Sequence, residues 1–358
     1  MNQPIVWLRK ETKEFERRTP LSPAGAKKLK ELGAKVIVEK CPDRIIPDSE
    51  YEAAGCEMTA PLSWKNKAPE DAIILGLKEL DVEDFPLSHR HIYFAHAYKG
   101  QEEAPQILGR FQSGNGTLYD LEFLMDENKR RVAAFGHWAG FVGCAIALDR
   151  YFHKHHPELS QIEYPGLSHF ENQTELIEQI KVKMKAVQKR PRSIVIGAKG
   201  RCGKGAIDML QRLDLEATHW DMEETAKGGP FPEILDHNLF INTVLLGPGT
   251  DPFLTRDLLE VKPKLEIIAD VSCDPNNENN PIPLYNAITS WERPFTKTDQ
   301  DIEILAVDNL PSLLPKESSE DFSQQLLPHL IDFIQSEDAP VWKQAREIYK
   351  EAIKRVLN

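Results

Sequence analysis

Two short polar motifs each follow an apolar run in the first third of the chain. Lys78 and Glu79 in GLKE come just after Ala72–Leu75, and His96, Lys99 and Gln101 lie in FAHAYKGQ, which overlaps and extends Ile92–Ala95. A lysine and a histidine at the ends of two successive strands suit proton transfer at an amine or a carbonyl. Imidazole titrates near neutral pH, and a lysine stripped of water beside like charge can exchange a proton there too. Glu79 and Glu122 (in LYDLEFL) could offset this positive cluster and tune it, or be plain solvated carboxylates. Arg17-Arg18 and Arg130-Arg131 add guanidinium groups. Arg18 and Arg131 suit a two-pronged grip on carboxylates.

A second constellation lies past the middle. Ser193–Ile196 reads as a strand, Gly197, Gly200, Gly203 and Gly205 follow as GxxGxxGxG, and AIDMLQRLDL reads as a helix. Backbone N–H groups at such a strand-to-helix turn can hold a pyrophosphate. Gly200 and Gly203 would let the backbone approach it, and Gly205 would allow tight helix packing. The next strand-like run, ATHW, ends at Asp221. An acid at this distance from the glycines can accept hydrogen bonds from adenosine ribose hydroxyls and would repel a 2′-phosphate, which favours NAD over NADP. The plainer alternative is a glycine-rich turn that only tightens a strand–helix connection.

These groups need elements to carry them. Ile5–Leu8, a helix opened near Ser22-Pro23 and closed by Gly33, Lys35–Glu39, Ala72–Leu75 and Ile92–Ala95 alternate as strand and helix. A mostly parallel sheet covered by helices follows from that alternation, with ligands expected at the carboxyl ends of its strands. Residues 136–152 (GHWAGFVGCAIALDRYF) read as a long helix, apolar on most sides. It either joins two domains or is an ordinary core helix within one. HKHH (153–156) offers metal-ligating side chains, but without a partner cluster it reads equally as a solvated loop or helix end. From Arg192 a second series begins: SIVIG, ATHWD, LFINTVLL, LEIIADVS and IEILAVDNL. The last forty residues carry two amphipathic helices.

Composition narrows the class. The chain has 358 residues, 28% of them charged, with 44 Lys+Arg against 56 Asp+Glu and a net charge of −12. That length suggests about two domains. No dense basic run speaks for nucleic acid, and any anionic substrate must be drawn by a local basic cluster against the global field. Five widely spaced cysteines, with no CxxC, do not form a disulfide framework. A reducing, cytoplasmic setting is the simplest expectation. The first residues lack a signal-like apolar stretch, and no run of about 18 apolar residues suggests a membrane span.

ETKEFERRTPLSP resembles the N-terminal signature of the alanine dehydrogenase and transhydrogenase superfamily, whose arginine aligns with Arg18. GLKE, FAHAYK, GTLYDLEFL, RRVAAFG, IGAKGRCGKGAIDML, WDMEET, GGPF, DVSCDPNNENNPIP and VDNLPSLLP, taken in order, resemble the NAD-dependent, lysine-forming saccharopine dehydrogenases. The match spans nearly the whole chain and is therefore more specific than any one motif. The resemblance implies an α/β protein of two Rossmann-like domains with mostly parallel sheets and an inter-domain cleft. Residues 1–134 with 316–358 would form the substrate side, and 135–315 the NAD-binding domain. The implied reaction takes saccharopine, NAD and water to L-lysine, 2-oxoglutarate and NADH, reversibly. The expected partners are these small molecules, with no nucleic acid, no membrane, no metal, and a monomer rather than a higher oligomer.

By the same resemblance Lys78 and His96 match an acid–base pair, and Glu79 and Glu122 match carboxylates that modulate it. Arg18, Gln101, Arg131 and Phe135 match substrate contacts, and Lys99 joins them as part of the basic cluster. Arg130, Gly200, Arg201, Gly203, Asp221, Thr225, Val271, Asp308 and Leu310 match the cofactor site. Saccharopine carries three carboxylates, and the first-domain cations are the local cluster able to receive them. One departure is visible: Thr243 stands where some members of the family have a cysteine facing Cys202, so a redox cross-link there is not expected. Leu245 replaces an aromatic residue of some relatives. Rival assignments are another dehydrogenase of the superfamily, acting on alanine or, with NADP, on lysine and 2-oxoglutarate, or a catalytically silent NAD-binding protein.

Overall fold

The computed structural model describes residues 3–260 and 263–357. Residues 1, 2, 261, 262 and 358, which fall within the expected domain ranges, lie outside the described residues. The chain divides into two compact units, Met1–Ala134 with Pro315–Asn358, and Phe135–Leu314.

The first unit is built on six strands: β1 (Ile5–Leu8), β2 (Lys35–Glu39), β3 (Glu57–Thr59), β4 (Ile73–Leu75), β5 (Arg90–Tyr93) and β6 (Thr117–Asp120). They lie in the order β3-β2-β1-β4-β5-β6, every neighbouring pair parallel. IVWL, KVIVE and IIL are nearly all buried, as runs in a parallel sheet covered on both faces must be. The helices are α1 (Pro23–Glu31), α2 (Asp48–Ala53), α3 (Trp64–Lys67) and α4 (Ala104–Gly114). The Ser22 hydroxyl caps α1 by accepting from the Gly25 N–H, with Pro23 in the first turn, and Gly33 at φ +92° follows its end. This is the proline-start, glycine-stop asymmetry that marked the helix in the sequence. Strand β5 starts and ends two residues earlier than its apolar run suggested. Past Tyr93 the backbone bonds the loop beyond β4, with Phe94 N–H donating to the Leu77 carbonyl at 3.0 Å. His96 is therefore a loop residue, with φ +49°.

The second unit contains β7 (Ser193–Ile196), β8 (Ala217–Trp220), β9 (Leu239–Asn242), β10 (Ile267–Asp270), β11 (Phe295–Lys297) and β12 (Glu303–Leu305), with helices α5 (Gly136–His155), α6 (Gln173–Ala186), α7 (Arg201–Arg212) and α8 (Met222–Thr225). The order is β11-β12-β10-β9-β7-β8. All neighbours are parallel except β11, which runs antiparallel to β12. Of LFINTVLL only the first four residues are strand. The Asn242 side chain bonds both the N–H and the carbonyl of Val244, which ends β9 at that point.

Helix α5 is a core helix of this unit, buried along nearly its whole length. It packs closely on α7: a Cβ on Gly140 would stand 1.7 Å from the Cys202 carbonyl oxygen, and one on Gly205 would stand 1.8 Å from that of His137. The histidines of HKHH belong to the last turn of α5 and the residue after it. His153 is buried with its ring against Arg150, and His155 meets Glu266 at 2.8 Å. Among the described residues no group of three or more metal-binding side chains converges, and no helix is long and apolar enough to cross a membrane. The chain's last two helices, α9 (Pro315–Gln335) and α10 (Pro340–Leu357), belong to the first unit. There Trp342 packs on Tyr119, and the Tyr349 hydroxyl donates to the Gly116 carbonyl.

Candidate active site

In the first unit β4, β5 and β6 are neighbours, and the chain leaves their carboxyl ends through Lys78-Glu79, His96 and Glu122 respectively. The four side chains named from sequence thus share one edge of one sheet. His96 Nε2 lies 3.4 Å from Glu79 Oε1, and its Nδ1 lies 3.5 Å from Glu122 Oε2. Lys99 Nζ is 2.6 Å from Glu122 Oε1. The result is a line of four side chains, Lys99–Glu122–His96–Glu79. The two histidine contacts are longer than tight hydrogen bonds, while the lysine contact is a strong charge-assisted one. Burial works against the ionised Glu122, but Lys99, His96 and Arg131 outweigh it and hold its pKa below the usual carboxylate value. Gln101 accepts the Lys99 N–H at 2.8 Å. A cavity of about 490 Å³ is lined by Lys78, Glu79, His96 and Gln101 among others.

Three acidic residues not named from sequence hold this edge together. Glu11, just past β1, accepts the Leu77 and Lys78 N–H groups at 2.7 and 2.9 Å. Arg9 binds both Glu11 and the Lys78 carbonyl. The GLKE turn is therefore pinned from the neighbouring strand, and burial raises the Glu11 pKa despite Arg9. Glu16 takes one edge of the Arg18 guanidinium, from Nε at 2.8 Å and Nη2 at 2.6 Å, with both residues about 95% or more buried. Desolvation pushes the Glu16 pKa up, and Arg18 more than reverses it. Asp120, the last residue of β6, caps the turn that carries Glu122 by accepting its N–H at 2.9 Å. Desolvation lifts the Asp120 pKa to about 6. Glu11 and Glu16 stand within ETKEFERR and Asp120 two places before Glu122.

The remaining substrate-side candidates are spread more widely. Arg130 and Arg131 are exposed on a tight turn whose Asp126 carboxylate accepts the Arg130 N–H at 2.8 Å. Arg131 pairs its backbone with Met125. Phe135, half-buried, immediately precedes α5 in the second unit.

In the second unit the glycine-rich turn leaves β7, the first strand in sequence, which has β8 on one side and β9 on the other. This is the switch point at which doubly wound sheets bind ligands. Gly200 is the N-cap of α7 and Arg201 its first residue. A Cβ on Gly203 would stand 2.1 Å from the Gly197 carbonyl oxygen, so that glycine lets the turn close on itself. Asp221 follows β8, and its carboxylate accepts from the N–H groups of Lys199 and Met222 at 2.8 and 2.9 Å. Those two bonds, Lys199 first, lower its pKa. Asp221 is thus an anion tied to the glycine turn itself, an arrangement suited to ribose hydroxyls. The Thr225 hydroxyl donates to the Asp221 carbonyl at 2.8 Å. Val271 follows β10 and Asp308 lies exposed past β12, while Leu310 is 2% exposed in the core below. Thr243 donates its hydroxyl to the Ile196 carbonyl, and no disulfide joins any of the five cysteines. A helix N-terminus opened by glycine, with a fixed carboxylate beside it, fits the pyrophosphate and ribose of a dinucleotide.

Residues 7–142 match the family model described as alanine dehydrogenase/PNT, N-terminal domain. The chain is 45% identical to a Yarrowia lipolytica protein named saccharopine dehydrogenase [NAD(+), L-lysine-forming], over 99% of this chain and 100% of that one. A Schizosaccharomyces pombe protein of the same name is 42% identical, again over 99% and 100%. Among solved structures, an L-alanine dehydrogenase superposes with a TM-score of 0.67 at 15% identity, over 98% of this chain and 99% of that one. A transhydrogenase from Sinorhizobium meliloti gives 0.63 at 18% identity, over 95% and 97%. Those two likenesses speak for the fold, and the full-length sequence identities decide the family: the chain belongs to the NAD-dependent, lysine-forming saccharopine dehydrogenases.

Proposed function

We propose that this chain catalyses the reversible, NAD-dependent oxidative cleavage of saccharopine to L-lysine and 2-oxoglutarate. The observation that carries the reading is the convergence of Lys78, Glu79, His96 and Glu122 on three adjacent strand ends, in a chain that aligns end to end with saccharopine dehydrogenases.

The chemistry requires two kinds of proton movement. The secondary amine of saccharopine must be free of its extra proton before the glutaryl carbon can lose hydride. After that, water must add to the resulting imine, and the amine of lysine must be protonated as the C–N bond breaks. NAD, when bound, supplies the hydride acceptor. Lys78 and His96 would take and return these protons. Glu79 and Glu122, one toward each ring nitrogen of His96, stabilise the imidazolium that forms when the ring takes a proton. Lys99 compensates the second carboxylate of that set. Arg18 and Arg131 would grip substrate carboxylates, with Glu16 holding the Arg18 fork in place. Gly200, Arg201, Gly203, Asp221 and Thr225 would hold the pyrophosphate and adenosine ribose, with Val271, Asp308 and Leu310 completing this unit's part of the dinucleotide site. The Asp221 carboxylate disfavours a 2′-phosphate, so NADH is the expected form.

A spectrophotometric assay tests this: the purified protein should oxidise NADH when given lysine and 2-oxoglutarate together, and not with either alone. Oxidation driven by NADPH and not NADH, or by ammonia and pyruvate in place of lysine and 2-oxoglutarate, would overturn the assignment.

A further inference from the structure

Three neighbouring strands of the second unit, β10, β9 and β7, end in one buried polar chain. Asn242 is the last residue of β9 and Asp270 the last of β10, and the two stand in register. Neither is more than 1% exposed. The Asn242 amide nitrogen donates to Asp270 Oδ1 at 2.9 Å, and the Tyr285 hydroxyl donates to Oδ2 at 2.7 Å. The Ser272 N–H bonds the same carboxylate. Next along the chain from Asn242, the Thr243 hydroxyl donates to the Ile196 carbonyl at 2.8 Å, with the Gly197 carbonyl 3.3 Å away. The bonds thus run from Tyr285, through Asp270 and Asn242-Thr243, to the first glycine of the glycine-rich turn.

The donors bear on the charge of Asp270. The Val244 N–H donates to the Asn242 amide oxygen, which turns the amide nitrogen toward Asp270. That nitrogen and the Ser272 N–H can only donate, so both favour the ionised carboxylate, against the burial that raises its pKa. The neighbourhood is acidic as well. The Cys273 thiol is pushed up to about 12, first by burial and then by the carboxylates of Asp270, Asp308 and Asp274.

The place of that charge matters for a dinucleotide. The glycine-rich turn past β7 suits the pyrophosphate, and Asp221 past β8 suits the adenosine ribose. Strands β9 and β10 lie on the other side of β7, so the nicotinamide half has to extend toward their ends. The oxidised ring carries a positive charge and the reduced ring does not. We infer that Asp270 is a positioning residue of the cofactor site. With Asn242 and Tyr285 it fixes the exits of β9 and β10 against the glycine-rich turn, and its buried charge favours the oxidised over the reduced ring. The inference rests on the dinucleotide site proposed above.

Cofactor titrations without substrate test it, with NADH followed by its own fluorescence and NAD by displacement of NADH, in alkaline buffer where the carboxylate is ionised. Asp270→Asn keeps the size of the side chain and removes the charge. The NAD dissociation constant should rise about fivefold or more relative to that of NADH, a change of ratio that a merely structural role does not produce. Tyr285→Phe keeps the charge and removes one donor, so both dissociation constants should rise together, severalfold, at the parental ratio. A parental ratio in Asp270→Asn, or parental affinities for both forms in Tyr285→Phe, overturns the inference. Should Asp270→Asn fail to fold by circular dichroism, Tyr285→Phe alone decides. Saccharopine takes no part in these titrations, so a parent that binds NADH but cannot use lysine with 2-oxoglutarate refutes the proposed reaction and not this inference.

Discussion

His96 Nδ1 lies 3.5 Å from Glu122 Oε2, and the other oxygen of that carboxylate is 2.6 Å from Lys99 Nζ. The carboxylate thus divides its charge between the His96 imidazole and the Lys99 ammonium. Glu122→Gln keeps the shape and removes the charge. One of the two negative groups that favour a proton on the ring is then gone, and Lys99 is left uncompensated. Turnover should fall severalfold. Rate profiles of parent and variant across pH 5 to 9 read this directly, and superimposable profiles would remove Glu122 from the mechanism.

Replacing both members of the acid–base pair, Lys78→Met with His96→Gln, should lower turnover by about 10²–10⁴. Both stand on loops at sheet ends, and the Lys78 backbone is held by Glu11 and Arg9, so the turn survives loss of the side chain. Affinity for NADH should be nearly unchanged, because the glycine turn and Asp221 lie in the other compact unit. A fluorescence titration of NADH alongside turnover separates lost chemistry from lost folding. Unimpaired turnover in the double variant would end the proposed role.

Much of this was legible in sequence because short-range rules govern it. Strand–turn–helix punctuation placed Gly200 and Asp221, and apolar runs placed Lys78 and His96 near strand ends. Strands β3 and β11 escaped notice because each is three residues long and, as EMT and FTK, carries no apolar run. LFINTVLL overstated β9 because the stop signal is a side chain, Asn242, bonding its own downstream backbone. Glu11 gains its importance from tertiary partners, Leu77 and Lys78, far along the chain, and Glu16 from being buried together with its neighbour Arg18. No local pattern distinguishes such acids from the solvated ones beside them.

Cofactor choice should turn on Asp221. Its side chain also accepts the Lys199 and Met222 N–H groups and caps α8. Asp221→Ser keeps a good helix cap and removes the negative charge. NADH should bind more weakly and NADPH more tightly relative to it, since the repulsion of a 2′-phosphate is lost. Paired binding titrations measure the ratio of the two dissociation constants. An unchanged ratio would mean that Asp221 is only a capping residue.

Asp120 offers a test through stability. It is 1% exposed, and its Oδ1 accepts the Glu122 N–H. Desolvation, opposed by the Glu122 and Ala95 backbone N–H groups and by His96, raises its pKa from 3.8 to about 6. The folded protein therefore binds this proton more tightly than the unfolded chain. Its contribution is fully favourable below the unfolded pKa and is lost as pH rises through about 6, so at pH 8 the buried charge costs up to about 3 kcal/mol. Asp120→Asn keeps the acceptor for Glu122 and removes the titration, in exchange for a buried amide that costs about 1–3 kcal/mol if unpaired. The variant should thus gain on the parent by about 1 kcal/mol between pH 5 and pH 8, whatever its absolute stability. Urea unfolding of both proteins at the two pH values measures that difference. A gap that does not change with pH would show that Asp120 carries no such proton.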